Sequence, residues 1–185
     1  MVSQFVSSHP VVLLGDLDFI FPEGIHAIGR LDSQSEGLLI LTTDKTVTRK
    51  LFQGNVPHTR TYLVEVRKEI TNNTIQQLNN GVSIRIKGGG FYTTDPCNAR
   101  LVTNPYQYIQ PSKNKVIYEP SSWILMSLTE GKFHQVRKMV SVVGHHCKRL
   151  IRISIEDLTL GDLPPGGVRE IERDVFFKLL KIDEA

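Results

Sequence analysis

Between residues 132 and 155 the hydrophobic repeat of the chain changes from that of a helix to that of a strand. Val136, Met139, Val140 and Val143 recur at i, i+3, i+4 and i+7, which predicts an amphipathic helix over 132–143, and Gly144 supplies its stop. A strand over 148–155 follows directly, with Ile151, Ile153 and Ile155 on one face and Leu150 and Arg152 on the other. Strands are also expected at 37–41, 62–66, 82–86, 99–102 and 122–128. The 62–66 segment alternates Tyr62, Val64 and Val66 with Leu63 and Glu65, the pattern of a half-buried strand. Shorter helices are expected from Asp44 to 52 and over 74–80, the second ending at Gly81, and 104–114 is expected to be a loop. Many strands with few, irregularly spaced helices predict an α+β fold rather than a doubly wound parallel sheet.

The chain has 185 residues, enough for one domain with a substantial core, and it shows no repeat or linker that would divide it. No apolar run approaches the roughly 18 residues that span a bilayer, and the first residues lack the basic and apolar regions of a secretion signal. We therefore expect a cytoplasmic protein with no membrane contact. Cys97 and Cys147 are far apart in the sequence and are expected to be free thiols. The six histidines have no metal-ligand spacing, so no metal is expected. The net charge is only +3, but it is unevenly spread. Lys132, Arg137, Lys138, Lys148, Arg149 and Arg152 lie in a stretch without Asp or Glu, whereas acidic residues dominate beyond Ile155. That pattern is what a polyanion-binding face requires, and it also fits a solvated helix face.

One polar loop carries the clearest chemical signal. Asp32 follows Arg30 in Gly29-Arg30-Leu31-Asp32, ahead of the apolar Leu38-Leu39-Ile40-Leu41 run. A carboxylate at a strand entrance can bond its own turn, or it can be mounted toward a cleft as a nucleophile or general base. The chemistry of the residue alone leaves both roles open.

The Gly29-Arg30-Leu31-Asp32 segment, with Ser35 and Gly37-Leu38-Leu39, closely resembles the catalytic-aspartate motif of pseudouridine synthases, in the branch that includes the RsuA and RluE ribosomal RNA enzymes. Arg60-Thr61-Tyr62-Leu63-Val64 resembles the family's basic-Thr-Tyr strand. Glu130-Gly131-Lys132-Phe133-His134-Gln135-Val136-Arg137-Lys138-Met139 resembles its third motif, which the Gly144 to Arg152 segment continues. The resemblance runs from about Val2 to Val168-Arg169-Glu170, and three motifs in order are far more specific than one.

The resemblance implies a mixed, largely antiparallel sheet with a central RNA-binding cleft. It also implies isomerisation of uridine to pseudouridine in ribosomal RNA, most specifically large-subunit RNA, by a monomer that uses no cofactor. Asp32 matches the essential aspartate, and Arg137 matches an arginine expected to form an ion pair with it. Tyr62 matches a tyrosine that stacks on the target base, and Leu150 an aliphatic wall of the base pocket. Arg30, Arg60, Lys138, Arg149 and Arg152 are candidates for phosphate contacts or for filling the space of a flipped nucleotide. His134 and Gln135 match polar positions beside the helix. The Lys-Pro strand of the family's first motif and the S4-type module of several relatives have no counterpart in the sequence. A structured-RNA binder of the same fold with impaired catalysis is therefore the alternative expectation. An Asp-dependent phosphohydrolase would need an acidic metal cluster or a phosphate-cradling loop, and neither accompanies Asp32.

Overall fold

Eight residues of strong β character, Arg60–Arg67, form the strand on which the rest of the chain assembles. The computed structural model describes residues 1–52, 56–110 and 120–182. In chain order its elements are β1 (His26–Ile28), β2 (Glu36–Gly37), β3 (Ile40–Thr42), α1 (Thr46–Phe52), β4 (Arg60–Arg67) and α2 (Asn72–Asn79). There follow β5 (Ser83–Arg85), β6 (Phe91–Thr93), β7 (Asn98–Val102), β8 (Ser121–Leu128), α3 (Gln135–Val142), β9 (Cys147–Ile155), β10 (Leu158–Thr159) and α4 (Arg173–Leu180). The main sheet runs β10-β9-β4-β8-β7, all antiparallel, and β2 joins β9 in parallel. Two further antiparallel pairs, β1 with β3 and β5 with β6, stand beside it. The architecture is mixed α+β, as the sequence pattern predicts.

Both faces of β4 are covered. Val64 and Val66 join Met126, Ile124, Met139 and Val140 in one core beneath α2 and α3, while Leu63 packs with Ile151 and Ile153 on the other face. Met139 and Val140 are wholly buried, each contributing about 1.5–3 kcal/mol relative to exposure. A separate cluster built on Ile28, Ile40, Val47, Ile155 and Phe177 joins β1, β3, α1 and α4.

The half-buried reading of β4 is therefore corrected. Glu65, expected on the solvent side, is 0% exposed, because the strand is central and its second face is also packed. Lys148 Nζ, on β9, lies 3.6 Å from Glu65 Oε1. The single strand expected at 37–41 is also divided. Gly37 has φ +99° and closes against β9, so β2 belongs to the main sheet and β3 to the small one. The Ile151, Ile153 and Ile155 face splits in the same way, with Ile155 falling in the α1–α4 cluster. The loop expected at 104–114 contains a single 3₁₀ turn, Pro105–Gln107, and residues 111–114 of it lie outside the described residues.

Helix α3 begins at Gln135, three residues later than the apolar repeat suggests. The preceding turn is closed locally: Lys132 N donates to Gln135 Oε1 at 2.7 Å, and Gln135 N donates to Lys132 O at 3.0 Å. His134 enters the helix in the left-handed region, with φ 53° and ψ 31°. No helix among the described residues is long and apolar enough to cross a membrane.

Candidate active site

The loop between β1 and β2 is held from four directions. Ser3 Oγ donates to Leu31 O at 2.9 Å and accepts from Leu31 N at 3.1 Å. Ser35 N donates to Asp32 O at 2.8 Å, closing a turn. Arg137 Nη2 donates to Gln34 O at 2.5 Å. Beyond the loop, Leu38 N donates to Arg152 O and Arg152 Nε donates to Leu38 O, both at 2.8 Å. Two arginines thus grip the backbone on either side of β2. Glycine is required where this loop meets its supports. A Cβ on Gly37 would stand 2.3 Å from Arg152 O, and one on Gly29 (φ +58°) would stand 2.7 Å from Phe52 Cζ.

The loop forms one wall of a cleft of about 690 Å³. Asp32 and Arg30 line it from this side, Arg60, Tyr62, Leu150 and Arg152 from the sheet, and Lys132 and His134 from the turn before α3. Tyr62 is half-buried, and Arg152 faces it across the β4–β9 ladder. A register shift between Thr61 and Tyr62 leaves Ile153 out of that ladder, which aligns the two side chains on the cleft side.

Asp32 and Arg137 do not form the expected ion pair. The Asp32 carboxylate lies 3.5 Å from His134 Nε2, the one basic side chain within that distance of it among the described residues. Arg137 lies instead between Gln34 O and Cys147 Sγ, the sulfur being 3.5 Å from Nη1. The guanidinium therefore fixes the loop backbone and leaves the carboxylate to His134.

The basic stretch is also not a single polyanion face. Arg149 makes a bidentate pair with Glu36 at 2.9 and 2.7 Å, which holds its guanidinium above the ordinary arginine range. Lys148 turns to Glu65. Arg152 is 2% exposed. Burial pulls its pKa below the usual arginine range, with the neighbouring Tyr62 opposing that fall. Arg60 is likewise pulled down by burial, and Nη2 donates to Thr129 O. Phosphate contact by Arg149 or Arg152 would require breaking these contacts. Arg30 Nη1 lies 2.7 Å from the Gln4 amide oxygen, once that amide is turned to satisfy both its neighbours. Lys132 Nζ lies 4.5 Å over the Tyr92 ring, and Lys138 Nζ lies 5.4 Å over Phe133, which is 67% exposed.

A family model described as RNA pseudouridylate synthase matches residues 21–142. Ribosomal large subunit pseudouridine synthase E of Vibrio parahaemolyticus is 34% identical over 157 residues, covering 84% of this chain and 63% of that protein. Its counterpart in Vibrio vulnificus is 34% identical over 172 residues, covering 92% and 70%. The chain belongs to the RNA pseudouridylate synthase family.

Similarity extends to another member of the pseudouridine synthases, ribosomal small subunit pseudouridine synthase A of Escherichia coli, at 28% identity over 90% of this chain and 63% of that protein. A crystal structure of a pseudouridylate synthase superposes with a TM-score of 0.67 at 24% identity, over 87% of this chain and 63% of that one, and so shares the fold. The chain thus spans roughly two-thirds of the length of these relatives.

Several cleft residues were not anticipated from the sequence. His58 is 4% exposed on the cleft wall, its Nδ1 3.4 Å from Glu156 Oε1, and the long separation of the two in sequence gives no local signal. Glu130 accepts from Tyr92 Oη at 2.6 Å, from Asp95 N at 3.0 Å and from Gln135 Nε2, tying the β5–β6 hairpin to the turn before α3. That hydrogen bond pushes the Tyr92 phenol up to about 12. Cys97 and Cys147 are free, and burial raises both thiols, Cys97 to about 11. Among the described residues no three His, Cys, Asp or Glu side chains are grouped to hold a metal.

Proposed function

We propose that this protein converts a uridine of ribosomal RNA to pseudouridine in the cleft between the β1–β2 loop and the turn before α3. Asp32 is its catalytic carboxylate and Tyr62 the surface on which the target base stacks. The observation that carries the reading is the half-buried tyrosine on the floor of a cleft whose wall presents a carboxylate from a doubly gripped loop. In the reaction the C1′–N1 bond breaks, the base turns, C1′ bonds to C5, and the proton lost from C5 is balanced by one gained at N1. A carboxylate serves this rearrangement whether it adds to the base, adds at the sugar or removes a sugar proton. A base stacked on Tyr62 gains roughly 1–3 kcal/mol, which offsets part of the few kcal/mol needed to extract it from RNA structure. Leu150, buried beside Tyr62, closes the pocket around the detached base.

Arg137 acts on this site through the Gln34 carbonyl. Arg30, Lys132 and Lys138 meet RNA phosphates, with Arg60 at the inner edge. Large-subunit RNA is the preferred target, since the Vibrio synthases named for that subunit are 34% identical over most of the chain. The protein works as a cytoplasmic monomer. The test is to incubate it with ribosomal RNA from cells that lack it and map the product by carbodiimide-primer extension. A new stop with the wild-type protein and none with Asp32→Asn is expected. Undiminished product from Asp32→Asn would overturn the assignment, and tight RNA binding with no product from either protein would favour the binder alternative.

A further inference from the structure

We propose that His134 is the positioning residue for the Asp32 carboxylate, a part the sequence reading gave to Arg137. The inference rests on the assignment of Asp32 as the catalytic group. Nε2 of His134 is 3.5 Å from Asp32 Oδ1, and the two side chains remain 41% and 34% exposed. A carboxylate with that much access to water keeps several rotamers unless a neighbour selects one. His134 is built to be that neighbour. Its imidazole stacks on Phe133, with centroids 3.9 Å apart and planes 18° from parallel, so the ring cannot turn away freely.

Its backbone supports the same conclusion. A non-glycine residue at φ 53° is disfavoured and persists only where its surroundings fix it. Here the fixing contacts come from Gln135, which binds the Lys132 amide through Oε1 and Glu130 through Nε2. An ordinary helical start at His134 would direct the ring elsewhere. The left-handed residue directs it over the β1–β2 loop. The remaining charged or titratable groups on the cleft walls are Arg30, His58, Arg60, Tyr62, Glu130, Lys132 and Arg152. None of them lies within ion-pair distance of Asp32. The work is divided between neighbours on one segment: Arg137 fixes where the loop runs, and His134 fixes where its carboxylate points.

The test is single-turnover modification of the mapped ribosomal RNA at saturating enzyme, with RNA affinity measured separately, for His134→Ala, His134→Gln and Asp32→Asn. We expect His134→Ala to slow the saturated step ~10–100-fold while the RNA Kd stays within about twofold. His134→Gln, whose amide can still donate to the carboxylate, recovers most of the rate. A wild-type saturated rate in His134→Ala overturns the proposal, and so does a loss confined to Kd, which would make His134 an RNA contact. If the alanine variant fails to fold, the glutamine variant carries the test, and loss of its saturated rate to the Asp32→Asn level overturns the proposal. Asp32→Asn keeps the two assignments separate. Full activity in that variant removes the Asp32 reading itself, whereas an inactive Asp32→Asn beside a fully active His134→Ala removes only the role given to His134.

Discussion

Arg152 faces Tyr62 across the β4–β9 ladder and, through Nε, holds the carbonyl of Leu38 at 2.8 Å. One buried guanidinium thus links the floor of the cleft to the strand that anchors the Asp32 loop. Its Nη2 is buried without a hydrogen-bond partner, and burial depresses its pKa. Such a residue persists because removing it would do more harm than leaving one donor unfilled. Arg152→Ala should cost about 2–4 kcal/mol of stability, from the cavity and the orphaned Leu38 carbonyl. Urea denaturation measures the loss. A variant as stable as the wild type would show that Arg152 does not hold the loop.

Gly37→Ala should destabilise strongly. The added methyl would sit 2.3 Å from a backbone oxygen of β9, at φ +99°. Backbone strain and the lost approach together cost roughly 2–4 kcal/mol. Gly88, with φ +94° and nothing within 4 Å of a built Cβ, is the control. Its alanine variant should lose only about 1 kcal/mol. Comparing the two melting curves separates close approach from left-handed strain.

The salt dependence of RNA binding should reflect few free cations. Lys148, Arg149 and Arg137 are engaged with protein partners and Arg152 is buried, so they should release no counterions. Lys132→Ala and Lys138→Ala should each lower the slope of log K against log salt by about 0.7, the value for one single-strand phosphate. Lys148→Ala should leave the slope unchanged. Filter binding across a salt series measures all three. An equal drop in the Lys148 variant would restore the broad basic face read from the sequence.

Tyr62→Phe should retain RNA affinity, because the ring provides the stacking surface. Tyr62→Ala should lose about 1–3 kcal/mol of binding, or up to a hundredfold. If the phenylalanine variant binds normally but forms no product, the hydroxyl beside Arg152 takes part in the chemistry. Equal product from both variants would remove Tyr62 from the site.

Alkaline pH should loosen the tie between the β5–β6 hairpin and α3. The Tyr92 phenol donates to Glu130 and is raised from 10.0 to about 12 in the folded protein. Its contribution to stability is present in full below about pH 10, where the unfolded chain also keeps the proton. It is lost as pH rises through about 12. Tyr92→Phe should remove this pH dependence, and because the group is partly exposed the effect is a gentle slope. Stability measured from pH 9 to 12 in both proteins tests it.

The elements with a strong local signal were legible in the sequence. The helix expected over 74–80 forms as α2, beginning two residues earlier at Asn72, β8 follows its β-rich run, and α3 carries Val136, Met139 and Val140 inward. Asp32 and Tyr62 could be marked because their motifs are short and contiguous. The residues that complete the site depend on long-range geometry, which no window of sequence contains. Glu65 was misread because alternation cannot tell whether a strand's second face is covered. The expected Asp32–Arg137 ion pair is not formed, because the arginine meets the loop at the Gln34 carbonyl, a backbone contact that residue types in a motif do not reveal. The basic cluster was over-read because Glu36 and Glu65, which engage Arg149 and Lys148, lie far outside it in sequence.

The parallel contact of β2 with β9 pairs Glu36 with Ile151, and Arg137 reaches Gln34 across 103 positions. During synthesis the segment bearing Asp32 therefore emerges well before Arg137 and Arg152, the two arginines that grip it from either side of β2. A chain that stops ahead of β9 lacks Leu150 and Arg152, and with them part of the cleft wall. The grip on that loop from both sides of β2 is complete only once β9, which carries Arg152, is in place.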